Sequence, residues 1–325
     1  MSRNRIAFIL MVAVMLAVII YASYGMLDTR RTEEEYSISV IVDNSSSDRW
    51  TAFREGLEQG NSEGNVFVNF VSTDTFHSVS EEAEVIRREL ENGVDGLIVE
   101  PFASETGGEL EGVLSKTGTL LICTEIPGEK KLDTVMPDWQ QMGIALAQRV
   151  NEAEQSPLKS DARLRVGILS GNQRQIQMAN CLQGVKEALD AAVMEVSWVS
   201  SGQAMENEAA LEHQMQAKSA DILISLDDEM TRLAVGYLKS KDNNNCRLYA
   251  VGRSEQSIAS LDEGWIRALI VPDEYFMGYA CVKTMLQKLN HFVAEAGAID
   301  VPFVSVTKET LYDEENATLL FPVIR

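Results

Sequence analysis

The sequence predicts an α/β protein of two similar, doubly wound parallel-sheet lobes, joined by a multi-strand hinge and preceded by a transmembrane helix. Short apolar runs typical of buried strands alternate with segments of helical periodicity, as in successive β-α-β units. Four runs in the first half recur in the second half at offsets of 127, 128, 126 and 128 residues. The runs are 37–43, 66–72, 95–100 and 119–125, then 164–170, 194–200, 221–227 and 247–253. Such regular offsets indicate two copies of one architecture.

The N-terminal segment has the composition of a membrane anchor. Residues 1–5 form a short basic segment, and residues 6–27 carry no charged side chain. A run of this length is long enough to cross a bilayer. Arg3 and Arg5 favour a cytoplasmic N-terminus, and residues 28–35 form a short charged linker. We therefore expect a single-pass protein of the cell membrane with an extracytoplasmic C-terminal domain. A cleaved signal peptide is the alternative.

The segments after residue 253 predict how the two lobes are connected. A strand at 269–273, a helix at 277–296 and strands at 301–306 and 319–324 follow the second set of four strands. Further elements after two matched halves indicate several chain crossings between the lobes, with Asp138 and Asp273 as hinge candidates. The expected domains are lobe 1 at 36–138 plus about 273–300, and lobe 2 at 139–272 plus about 301–325.

Composition argues against several function classes. The net charge of −21 would repel the phosphates of a nucleic acid. The four cysteines show no CxxC spacing and the three histidines are isolated, so neither a disulfide framework nor a histidine-rich metal site is indicated. The acidic triplet 227–229 is interpreted as a helix cap rather than a metal site. No nucleophile elbow, phosphate-binding loop or dinucleotide-binding glycine motif is found, so we expect neither an enzyme nor a cofactor.

The loop at residues 43–48 is the first candidate for a ligand site. An apolar strand precedes it, and a helix with Trp50, Phe53 and Leu57 on one face follows it. Open α/β sheets bind small ligands at such strand ends. An ordinary β-α turn is the alternative.

Residues from about 36 to 306 resemble the sugar-binding type I periplasmic binding proteins, the ribose- and galactose-binding group. The matching stretches, in order, are VIVDNSSSDRWTAFREG, DGLIVEP, LLICTEIPG, ISLDDEM, and YAVGRSE followed by MGYA. The resemblance implies two lobes that close around one small ligand, a monosaccharide. It also implies delivery of that ligand to an ABC permease or its presentation to a membrane sensor kinase.

The resemblance places ligand contacts on the loops after the strands. The positions implied are Asp43, Ser47, Arg49, Trp50, Glu100, Glu125, Asp227, Ser254 and Asp273. Carboxylates accept hydrogen bonds from sugar hydroxyls, and Trp50 would stack on the apolar face of a sugar ring. The alternatives are core packing for Trp50 and helix capping for each carboxylate.

This sequence departs from the ribose-binding pattern. Ile126 and Ala179 stand where that group has arginines, and Ser254 stands where it has an aspartate. Unless Arg174 or Arg253, or Arg49 of the first loop, restores the lost donors, the remaining carboxylates suit a cationic or amine-bearing ligand. A neutral sugar is the expectation from the resemblance, and a degenerate module that binds no sugar is a further alternative.

Overall fold

The computed structural model describes residues 15, 36–64, 66–106, 108–127, 132–154, 163–202, 205, 207–241, 245–290 and 297–321. The predicted cytoplasmic segment, anchor and linker at 1–5, 6–27 and 28–35 lie outside these residues, apart from Met15. Within the described ranges, no helix has the length and apolar character needed to span a bilayer.

Strands and helices alternate through the described chain. In order they are β1 (Tyr36–Ile41), α1 (Thr51–Ser62), β2 (Val66–Phe70), α2 (Val79–Glu91), β3 (Gly96–Val99), α3 (Glu109–Leu114), β4 (Gly118–Ile122), β5 (Asp133–Met136), α4 (Trp139–Ala153), β6 (Leu164–Leu169), α5 (Ile176–Ala188), β7 (Met194–Ser200), α6 (Glu208–Ala217), β8 (Ile222–Ser225), α7 (Asp228–Ser240), β9 (Arg247–Val251), α8 (Glu255–Asp262), β10 (Ile266–Pro272), α9 (Glu274–Leu289), β11 (Ile299–Asp300), β12 (Phe303–Val306) and α10 (Glu314–Leu320).

The strands form two six-stranded sheets with the same strand order. The first sheet has the order β2-β1-β3-β4-β5-β11 and is parallel, and the second has the order β7-β6-β8-β9-β10-β12. Only β12 runs antiparallel among the described strands of the second sheet. We call the first sheet with its helices lobe 1 and the second lobe 2. The predicted pair of doubly wound parallel lobes is confirmed.

A pair of closely packed helices recurs in both lobes. In lobe 1, a Cβ on Gly56 of α1 or on Gly278 of α9 would overlap the backbone of the other helix. In lobe 2, Gly143 of α4 and Gly184 of α5 show the same relationship. Glycine is required at these four positions because it alone lets two helix backbones come so close.

The described chain passes between the sheets three times, from β5 to α4, from β10 to α9 and from β11 to β12. Asp138 and Asp273 lie at two of these crossings and cap the helices that follow. The Asp273 amide donates to the Pro302 carbonyl over 2.8 Å, and the Val301 amide donates to the Met136 carbonyl over 3.1 Å. The three crossings therefore lie side by side.

The C-terminal elements differ in part from the sequence prediction. The predicted strand at 319–324 is wrong in its described residues, because Leu319 and Leu320 end helix α10. Glu314 and Glu315 favour a helix start, and Leu320 is buried in the core of lobe 2. Strand β5 was missed because its four residues, DTVM, form no apolar run.

Candidate functional site

A cavity of about 530 Å³ lies between the two lobes. Its lining comes from the loops and helix starts that follow the strands of both sheets. This is the position at which open α/β sheets bind ligands. The volume lies within the range of about 300–1,000 Å³ that is usual for small-molecule sites.

Six of the nine sequence-predicted residues line this cavity: Asp43, Ser47, Arg49, Glu100, Asp227 and Ser254. The other three, Trp50, Glu125 and Asp273, are not among the lining residues.

Trp50 packs in the core of lobe 1 and does not face the cavity. Its side chain is fully buried, its ring contacts Phe53 edge-on, and its Nε1 donates to the Asp43 carbonyl over 3.2 Å. Trp50 therefore does not take the stacking position that was predicted for it, and the core-packing alternative describes this residue. The position follows from the helix itself, since Trp50 begins the same apolar face as Phe53.

Aromatic lining is supplied instead by Phe76, Phe102 and Trp139. Trp139 is the first residue of α4 and packs against the cores of both lobes. Sequence reasoning missed all three, although each lies just after a strand. Trp139 follows the predicted hinge residue Asp138 directly, and this adjacency was the available signal.

Glu125 and Asp273 make hydrogen bonds to other parts of the protein in this conformation. The Glu125 amide donates to Oε1 of Gln177 in lobe 2 over 3.1 Å. Asp273 caps α9 by accepting from the Phe276 amide over 2.9 Å. Its neighbour Glu274 lines the cavity instead, one residue from the predicted position.

Arg49 and Glu100 form an ion pair at the end of β1 and β3. The guanidinium donates to Glu100 Oε1 over 3.0 Å and lies 4.1 Å from the centre of the Trp50 ring. The Glu100 side chain is buried and also accepts from the Asp43 amide over 3.3 Å. Arg49 is thus already paired within lobe 1.

Asp43 connects the loops after β1 and β2. Its Oδ1 accepts from the Phe76 amide over 2.6 Å, and burial raises the pKa of its carboxyl group. The contact holds Phe76, which lines the cavity, beside the first loop.

Two residues of the acidic triplet 227–229, which follows β8, accept hydrogen bonds that fix the neighbouring backbone. Asp227 caps α7 by accepting from the Met230 amide over 2.8 Å, and burial raises its pKa to about 6. Asp228 accepts from the Ser254 hydroxyl over 2.6 Å and from the Ser257 hydroxyl over 2.7 Å, which fixes the loop after β9. In the part of the chain that is described, no group of three side chains suited to a metal ion is found.

Gly171 allows the loop after β6 to approach Asp227. It has φ of +59°, and a Cβ there would overlap the Asp227 carboxylate. A larger residue would be strained and would displace an acidic group of the cavity.

The remaining arginines of interest are engaged away from the cavity centre. The Arg253 side chain donates to the carbonyls of Leu320 and Leu319 over 3.1 and 3.3 Å, which ties α10 to the loop after β9. The Arg174 guanidinium lies 4.8 Å from the centre of the Phe102 ring and does not line the cavity.

Glu274 is a buried acid that sequence reasoning did not select. It is the first residue of α9, is 5% exposed and lines the cavity. Its Oε2 has no hydrogen-bond partner among the described residues. Burial raises its pKa to about 8.

The lobes meet along one edge of the cavity. Gln175 of lobe 2 donates to the Pro101 carbonyl over 2.8 Å, and Asn172 donates to the Phe102 carbonyl over 2.9 Å. Gln177 also accepts from the Thr124 hydroxyl. These polar contacts hold the lobes in the described arrangement.

Comparison with known proteins identifies a family whose model matches most of this chain. A family model described as "Periplasmic binding protein domain" matches residues 38–291. Among curated proteins, none matches the sequence.

Three solved structures illustrate the likeness, each 15% identical to this chain. A carbohydrate transporter solute binding protein from Agrobacterium radiobacter, in complex with D-arabinose, has a TM-score of 0.78 and covers 88% of this chain and 99% of its own. A glucose-galactose binding protein from Geobacillus stearothermophilus has a TM-score of 0.76, with 86% and 99% covered. A Caulobacter myo-inositol binding protein bound to myo-inositol has a TM-score of 0.72, with 86% and 96% covered. At this identity the likeness shows the fold.

Proposed function

This chain belongs to the periplasmic binding protein family, and on that premise we propose that it is an extracytoplasmic solute-binding protein that closes two lobes around one small polar ligand. The family consists of binding proteins rather than enzymes. The observation that carries the proposal is the cavity of about 530 Å³, which both lobes line. A hydroxyl-rich ligand of the sugar class is the leading candidate.

The chemistry of the lining supports a ligand of that class. The carboxylates accept hydrogen bonds from hydroxyl groups. Phe76, Phe102 and Trp139 offer apolar surface to the C–H face of a sugar ring. The solved relatives named above include complexes with D-arabinose and myo-inositol, which are both polyhydroxylated rings.

Lobe rotation about the three crossings is the proposed mechanism. The proposed rigid bodies are residues 36–138 with about 273–300, and residues 139–272 with about 301–325. Asp138 and Asp273 are the proposed hinge points, because each lies where the chain leaves one sheet and caps a helix of the other lobe. Short crossings that lie side by side permit rotation while they prevent free separation.

The apolar segment 6–27 is proposed to hold the receptor at the outer face of the membrane. Delivery of the ligand to an ABC permease is the proposed use of lobe closure. The same closure beside a membrane sensor kinase would report the ligand instead of delivering it, and the anchor favours either membrane partner.

The test is thermal stabilisation of the full-length chain, kept in mild detergent, by a panel of sugars, polyols and amines. A ligand at about 100 times its dissociation constant should add about 2.7 kcal/mol of stability. Asp227→Asn should weaken this effect, while Asn207→Asp, at a helix cap that does not line the cavity, should not. Stabilisation by no compound of the panel would contradict the proposal and favour a module that binds no small ligand.

A further inference from the structure

The cavity carries more negative than positive side chains. Among the residues that the structure describes, seven carboxylates and three guanidinium groups line it. Two of those guanidinium groups are already engaged, since Arg49 pairs with Glu100 and Arg253 donates to backbone carbonyls. The third belongs to Arg232, whose side chain is exposed.

Most of the buried and half-buried carboxylates of the lining have donors of their own. Glu100 has Arg49, Asp228 has the hydroxyls and amides of the loop after β9, and Asp43 and Asp227 each accept from a backbone amide. Glu274 differs from them because its Oε2 is buried without a hydrogen-bond partner in the described chain, while the residue lines the cavity.

The helix that begins at Glu274 does not explain this carboxyl group. A helix N-terminus favours a negative side chain in its first turn. Asp273, however, already caps α9, and Oε2 of Glu274 receives no hydrogen bond from the helix. An acidic group buried without a donor costs free energy, so its presence in a ligand cavity indicates that the ligand supplies the donor.

Resting on the solute-binding function proposed above, we propose that the ligand carries a protonated amine that pairs with Glu274, as in an amino sugar or an amino polyol. An ammonium group offers three N–H donors and a positive charge. A neutral hydroxyl offers one donor and leaves the charge of the cavity unbalanced. The hydroxyls of such a ligand would meet the remaining carboxylates.

The charged and titratable groups around Glu274 come from five other strand ends. They are Arg49 and Glu100 with Cys123 in lobe 1, and Asp228 and Arg253 in lobe 2. Burial raises the pKa of Glu274 to about 8, which favours the protonated form at pH 7 before a ligand binds. Pairing with an ammonium group favours the carboxylate, so binding should release a proton to the solvent.

The test is calorimetric binding at pH 7 to the full-length chain in mild detergent. The probes are D-glucosamine, D-galactosamine, D-mannosamine and 1-amino-1-deoxy-D-sorbitol, each beside its hydroxyl parent. One amino compound should bind at least about tenfold more tightly than its parent, since a charge-assisted hydrogen bond is roughly twice as strong as a neutral one. Titrations in buffers of different ionisation enthalpy should show net proton release.

Glu274→Gln should reduce that preference below about threefold and abolish the proton release. Glu255→Gln is the matched control, because Glu255 is also the first residue after a helix cap but is exposed and does not line the cavity. It should retain both the preference and the proton release.

Each other outcome counts against a defined part of the proposal. If a hydroxyl parent binds as tightly as its amino form, the amine inference is overturned while the solute-binding function stands. If Glu274→Gln keeps the preference, Glu274 is not the partner of the amine and the inference is also overturned. If no compound of the panel binds, both the inference and the proposed sugar class fail.

Discussion

Glu82 offers a quantitative test of how burial sets acid chemistry beside the cavity. It lies in the first turn of α2, is fully buried, and accepts from the Phe102 amide over 3.1 and 3.2 Å. Burial raises its pKa from 4.5 to about 8, and the nearby Glu100 and Asp43 add to the increase. The folded protein therefore holds a proton that the unfolded chain has already lost between these two values.

The sign of the effect follows from proton binding. Stability falls with rising pH wherever the folded state binds more protons than the unfolded state. Each pH unit inside the window changes the free energy of unfolding by about 1.4 kcal/mol. Between pH 5.5 and pH 8, with allowance for half-titration at the upper end, Glu82 should lower stability by about 3 kcal/mol. Both conditions stay above the isoelectric point near 4.6.

Glu82→Gln should remove this loss, because an amide keeps an acceptor for the Phe102 amide and does not titrate. The advantage of the variant over the native chain should grow by about 3 kcal/mol from pH 5.5 to pH 8, which urea unfolding followed by circular dichroism measures. Glu81→Gln, at the exposed neighbouring position, is the control and should show no such growth. Parallel pH profiles for the native chain and Glu82→Gln would refute the reasoning.

Three further outcomes are expected. Gly184→Ala should lower the free energy of unfolding by about 1–3 kcal/mol, because the added methyl group meets the backbone of α4. Gly112→Ala is the control, since its methyl group meets open space and should cause no such loss. Equal effects of the two substitutions would contradict the close helix contact. Trp50→Phe should lower the free energy of unfolding by about 1–3 kcal/mol and leave ligand affinity unchanged. Trp139→Ala should weaken ligand binding, which calorimetry measures for both variants. The reverse result would restore the stacking role of Trp50. Gln177→Ala should loosen the contact between the lobes, raise the radius of gyration in small-angle scattering and weaken ligand binding several-fold. An unchanged radius of gyration would contradict the role of Gln177 in holding the lobes together.

The sequence predicted the two sheets because their strands are nearly continuous apolar runs that repeat at a constant offset. The exception, β5, has four mixed residues whose strand form depends on its neighbours in the sheet. Its two partners lie at 120–122 and 299–300, so local composition held no signal for it.

The strand-end rule located the cavity but did not select among adjacent residues. Successive residues of a helix point about 100° apart, so a single position decides which side chain enters the site. The structure turns Glu274 rather than its neighbour Asp273 toward the cavity. That choice depends on how each helix packs on its sheet, which requires both partners to be known.

The helix pair of lobe 1 also sets the order in which the protein is completed during synthesis. The core of this lobe includes Met277, Cys281 and Met285 of α9, which follow the whole of residues 139–272 along the chain. Helix α4, the corresponding partner in lobe 2, is instead made immediately before its sheet. The N-terminal lobe therefore lacks this helix until most of the later lobe has already been synthesised. Truncation after residue 272 should leave the core on one face of the lobe 1 sheet incomplete, although strands β1 to β5 would all have been made.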